Sequence, residues 1–143
     1  MHCTIDSTCS SSASFTPYLV MSVFTALFVG ALFLQSGWEK LNDWPGNLSW
    51  LKEHFRNTPI KAIVSGVLVI LTGLELLSGT IIVAGLIVFL WKGCSIWLLV
   101  GYSLACASLL ALFTGQRIAK DYAGAASLVP YFLLVLAGLW LLN

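Results

Sequence analysis

The chain has 143 residues, 59% of them hydrophobic and only 9% charged, with a mean hydropathy of +0.93. A soluble domain carries roughly 25% charged residues, so this chain cannot cover its own surface in water, and its solvent is lipid. The net charge of +1 excludes a broad basic surface for nucleic acid, and the length suits one small helical bundle without a separate soluble domain.

Residues 1–16 are Ser/Thr-rich and read as a mobile tail, without the Lys/Arg-rich start of a secretory signal peptide. The first apolar stretch, Tyr18–Ser36, predicts a membrane span over about 17–37, closed by Gly37-Trp38-Glu39-Lys40. There follows "EKLNDWPGNLSWLKEHFRNTPIK", in which Trp44, Trp50, Leu51 and Phe55 alternate with Lys52, Glu53, His54 and Arg56. That mixture predicts an amphipathic segment at headgroup level, capped by Asn47 or Ser49 and ended by Thr58-Pro59. The second span, 60–90, is interrupted by a single charge, Glu75. As one helix it would rise roughly 46 Å, more than the hydrocarbon core, so it is expected to tilt, to kink around Gly73–Gly79, or to project from the bilayer. Gly66, Gly73, Gly79 and Gly85 recur every six or seven residues and are expected near one packing face. The third and fourth spans are 94–114, where Cys106 reads as a small packing residue, and 122–142. Continuous apolar runs of this length predict helices, not barrel strands. The expected fold is an all-α integral membrane domain over 17–143: a four-transmembrane-helix bundle with an amphipathic segment between helices 1 and 2.

Four spans place the first and third connections on one side. Six of the seven basic residues (Lys40, Lys52, Arg56, Lys61, Arg117, Lys120) fall there, and only Lys92 opposite. The positive-inside rule makes that side cytoplasmic and both termini external. Cys3, Cys9 and Cys94 then face an oxidising side that permits a disulfide, although their irregular spacing equally suits unpaired thiols.

Glu75 is the leading candidate site residue. A carboxylate near the membrane midplane costs about 2.5–3.5 kcal/mol, so it must face the bundle interior. There it either serves a ligand or proton pathway, or is a neutral carboxyl bonded to Thr72, Ser78, Thr80 or a serine of the third span. Glu39 and Lys40 form a polar set at the end of span one. "GQRIAKDY" supplies Gln116, Arg117, Lys120, Asp121 and Tyr122 on the same membrane side. Pairing of Glu39 and Asp121 with Lys40, Arg117 and Lys120 is the simplest arrangement, either as a helix staple or as the rim of a site. His54 reads as a solvated loop side chain. No metal motif and no nucleophile–base arrangement is present in the sequence.

"FLQSGWEKLNDW", "GLELLSG" and "GQRIAKDYAGAASLVPYFLL" together resemble the DoxX family, over about residues 20–142. By this resemblance Glu39 and Lys40 match the polar end of the family's first helix, Glu75 its second-helix carboxylate, and Lys120-Asp121 the polar start of its fourth. No catalytic role comes with those positions. The resemblance implies a bacterial cytoplasmic-membrane protein that is not catalytic alone: an accessory subunit of a quinone- or thiol-linked redox system, with other membrane or soluble redox subunits as partners. The implied ligand is a non-covalently bound quinone. A structural or assembly subunit is the alternative; a small transporter has only Glu75 in its favour.

Overall fold

The structure, a computed structural model, describes residues 17–142. Among them are five α-helices and a short 3-10 turn, and no strands. Helix α1 is Pro17–Asn42, α2 Trp44–His54, α3 Val64–Lys92, α4 Ile96–Ile118 and α5 Tyr122–Trp140. The 3-10 turn, Pro59–Ile63, leads into α3. Helices α1, α3, α4 and α5 are each long and apolar enough to cross a membrane. The protein is thus an all-α bundle of four such helices, with α2 between the first two.

Both faces of these helices are apolar, and small residues mark the places on the inner face where helices come close. The buried side of α1 is Ser22, Ala26, Val29, Gly30, Phe33 and Gly37, a helical repeat that includes two glycines and a serine. Its outer side carries exposed Phe24, Leu27 and Phe28. Small inward residues let backbones approach, since lipid supplies no hydrophobic drive to bring helices together. Helix α3 lies between α1 and α4, and α5 packs on α4 while touching α1 more sparingly. Ala26, Val29, Phe33, Ile82, Leu86, Leu98, Tyr102, Ala105, Leu109 and Val135 fill the centre.

Two close approaches set the register. A Cβ on Gly79 would lie 3.2 Å from the carbonyl oxygen of Gly30, so α1 and α3 cross backbone to backbone. A Cβ on Gly85 would lie 2.9 Å from the amide nitrogen of Leu98, which fixes α3 against α4. Gly66 and Gly73, by contrast, are exposed and face open space. The expected single glycine face is therefore corrected. Gly66 and Gly73 are about two turns apart and share a face, but each further step of six residues rotates about 120° away from it.

The second span begins as a 3-10 turn and becomes an uninterrupted α-helix from Val64 through Gly73 and Gly79 to Lys92. At roughly 44 Å it still exceeds a hydrocarbon core. Glycine at 93, with φ 67°, ends it in the left-handed conformation and donates to Phe89 O.

Helix α2 is capped by Asp43, not by Asn47 or Ser49: its Oδ1 accepts from Gly46 N at 3.1 Å, and Pro45 stands in the first turn. The helix ends at His54, ahead of Thr58. Asp43 is also the single residue between α1 and α2, and its amide still donates to Glu39 O. The break falls at Asp43, whose backbone leaves the helical region at φ −122° and ψ 58°, and Pro45 has no amide proton to continue the α1 hydrogen-bond ladder to the carbonyl four residues back.

Exposed aromatics gather at both ends of the bundle. Trp38, Trp50 and Tyr122 stand at the end carrying α2; Tyr18, Trp91, Trp97 and Trp140 stand at the other. Such paired belts match the two headgroup regions of a bilayer.

Candidate functional site

The centre of the site is an ion pair between α1 and α3. Glu75 is 1% exposed. Its two carboxylate oxygens accept from Lys40 Nζ, Oε2 at 2.8 Å and Oε1 at 3.0 Å. Lys40 stands in the last turn of α1 and also donates to Ser36 Oγ at 2.7 Å, with the Ser36 carbonyl oxygen at 3.4 Å. Gly37 makes this approach possible, since it lies directly against Leu76 and a Cβ there would meet that side chain at 2.7 Å.

The partner of Glu75 is therefore a cation from another helix and none of the hydroxyls expected. Thr72 Oγ1 donates to Leu68 O, Ser78 Oγ to the backbone oxygen of Glu75, and Thr80 Oγ1 to Leu76 O, each within its own helix. A hydroxyl in an α-helix commonly satisfies itself on a carbonyl three or four residues back. Glu75 also lies in the first half of α3, toward the α2 end of the bundle, because the helix starts at Val64. A lysine two residues from the end of α1 can consequently reach it.

A pocket of about 140 Å³ opens beside this pair. Leu32, Phe33 and Ser36 line it from α1, Glu75 from α3, Leu109 and Leu112 from α4, and Leu128 and Tyr131 from α5. Glu75 is thus a polar wall in an otherwise apolar recess, with two hydroxyl-bearing residues nearby. A neighbouring groove of about 190 Å³ is wholly apolar and shares Leu109 and Leu128 with it. Ser108 is fully buried, and its Oγ has no hydrogen-bond partner. The α3–α4 register, with Gly85 against Leu98 and Gly101 against Ile82, continues to set Ser108 level with Glu75.

The remaining candidates assemble separately, and not as the expected set of pairs. Glu39 is exposed and accepts from Gln35 Nε2 at 2.9 Å within α1. Among the described residues neither Arg117 nor Lys120 pairs with a carboxylate; the Arg117 guanidinium lies 4.7 Å over the Tyr122 ring. Asp121 caps α5, its Oδ1 accepting from Gly124 N at 2.8 Å. Lys120, at φ 61°, takes the left-handed position after α4. Its amide donates to Arg117 O and the amide of Asp121 to Gln116 O, which together make a Schellman ending. One helix closes and the next opens within three residues.

His54 is not a solvated loop side chain. It stacks on Trp50 with ring centroids 4.6 Å apart, and its Nε2 lies 3.1 Å from Gln116 Oε1 and 3.8 Å from Asp121 Oδ2. This contact ties α2 to the α4–α5 turn. The signal available in the sequence is Trp50 and His54 at i, i+4 on one face of α2; nothing there points to a residue 62 positions on.

Cys94 is buried and disulfide-bonded, while Cys106 is a free, partly buried thiol packed against the core. Cys3, Cys9 and the tail 1–16 lie outside the described residues. No group of three His, Cys, Asp or Glu side chains gathers to hold a metal among the described residues.

Fold and site together define a four-helix integral membrane protein with one buried interhelical ion pair lining a small recess. No protein-family model, curated protein or solved structure matches the chain.

Proposed function

We propose that this chain is a DoxX-like membrane subunit that holds the head of a quinone-class lipid beside Glu75 and serves a redox system as an accessory component. The observation that carries the reading is the buried Lys40–Glu75 pair forming one wall of an apolar recess of about 140 Å³. A cavity of about 150 Å³ accepts a benzene-sized ring, and an apolar pocket with a few convergent polar groups is the usual form of a small-molecule site. Ser36 and Tyr131 supply further hydrogen-bonding groups at the edge, and an alkyl or isoprenoid tail has the adjoining apolar groove and the lipid itself as surroundings. The ionisable groups here are committed to each other, so the chain supplies a binding wall to redox subunits that bring the electron carriers. The membrane is the bacterial cytoplasmic membrane with both termini outside. The basic residues on the α2 side favour this orientation, as does the disulfide at Cys94 on the opposite side.

The test is anaerobic binding of a decyl-substituted benzoquinol, the reduced form of the head, to purified wild type and to Glu75→Gln and Glu75→Ala variants whose helical content and unfolding temperature have first been measured. Both folded variants are expected to lose at least about tenfold in affinity. Unchanged affinity in them would remove the quinone role.

A further inference from the structure

Resting on the reading above, we propose that the recess selects the hydroxyl form of its ring-headed ligand, binding quinol in preference to quinone. The argument is a count of donors and acceptors. An ammonium has three N–H groups, and those of Lys40 are taken by Ser36 Oγ at 2.7 Å and by the two oxygens of Glu75 at 2.8 and 3.0 Å. None remains for a ligand carbonyl.

Glu75 is in the opposite condition. An ionised carboxylate offers about four lone-pair sites, and one ammonium contacting each oxygen once occupies two of them. The neighbouring hydroxyls add nothing, because Thr72 and Ser78 donate to backbone oxygens of their own helix. Buried at 1% exposure, Glu75 cannot satisfy the rest with bulk water. What this wall lacks is a donor.

A quinone head carries carbonyl acceptors only, so it meets Glu75 as acceptor against acceptor. A quinol carries two O–H groups and can donate to the carboxylate in a charge-assisted hydrogen bond, the stronger kind in a dry setting. The hydroxyls of Ser36 and Tyr131 do not reverse the preference, since each can donate or accept. Ser108 Oγ, level with Glu75 but fully buried and outside the lining of the recess, does not enter the count.

The experiment compares three ligands on the purified full chain in lipid nanodiscs under anaerobic conditions: a decyl-substituted benzoquinol, the matching benzoquinone, and the quinol's dimethyl ether. The ether keeps the ring and tail but has no O–H. Quinol is expected to bind at least about tenfold tighter than both others. In Glu75→Gln, whose amide both donates and accepts, the ratio should fall toward one. Equal or tighter binding of the quinone or the ether overturns the preference while leaving the quinone-site reading in place. Failure of all three to bind overturns both. The wild-type ratio decides the matter even if Glu75→Gln does not fold.

Discussion

Lys40 and Glu75 show why one buried charge cannot be read alone. Removing one partner of a buried pair leaves the other charge uncompensated, at a cost of about 3–5 kcal/mol, whereas replacing both by apolar residues of similar size is often neutral. The two partners are not equivalent here: side-chain exposure is 20% for Lys40 and 2% for Glu75. In Glu75→Gln the lysine can withdraw along its stem toward the headgroups. In Lys40→Met the carboxylate has nowhere to go. Thermal unfolding in detergent should therefore rank Lys40→Met as least stable and Glu75→Gln as intermediate. The Lys40→Met/Glu75→Leu double variant should stand close to wild type. A double variant as unstable as Lys40→Met would show that the pair is not what the two residues contribute. At this same scale Lys120 illustrates a different limit of legibility. Its left-handed backbone, at φ 61°, is a position that glycine usually fills, and a lysine there carries no sign of it.

At the scale of elements, the existence of each helix was legible and its rotation was not. The four apolar runs predicted the four long helices, with ends displaced by a few residues where caps decided them: Asp43 for α2, Gly93 after α3, Asp121 before α5. Glycine spacing was the misleading cue, since a six-residue recurrence drifts around a 3.6-residue helix. This gives a direct contrast. Gly73→Ala adds a methyl into open space in mid-helix and should be neutral or gain up to about 1 kcal/mol. Gly85→Ala would bring its Cβ within 2.9 Å of the Leu98 backbone and should lower the unfolding temperature clearly, because backbone cannot yield as a side-chain tip does. Equal effects of the two substitutions would contradict the α3–α4 contact described above.

For the whole molecule, the basic residues on the α2 side and the disulfide at Cys94 on the opposite side support the proposed orientation. Lys52 and Lys92 are both exposed and stand at opposite ends of the bundle. A membrane-impermeant amine reagent applied to intact cells should therefore modify Lys92 and spare Lys52 until the membrane is opened, as read by peptide mass spectrometry. Modification of Lys52 in intact cells would invert the topology. The proposed orientation puts Glu75 and its recess toward the cytoplasmic side, the end of the bundle where α2 is held against the α4–α5 turn through His54, Gln116 and Asp121.

Composition and hydropathy by themselves determined that this protein is built for lipid, how many of its helices are long and apolar enough to cross a membrane, and which connections carry its charge. Those properties depend on transfer free energies and helix length, which are local to each segment. Only the tertiary structure decided that Lys40 meets Glu75, 35 residues away, that His54 is tied down, and that Glu39 and Lys120 stand apart from the site. Such pairings depend on how each helix is rotated about its axis. In a water-soluble bundle polarity marks the inner face, but here Phe24 faces out and Ser22 faces in. Rotation follows from where small residues let two backbones touch, and that is a property of pairs of helices.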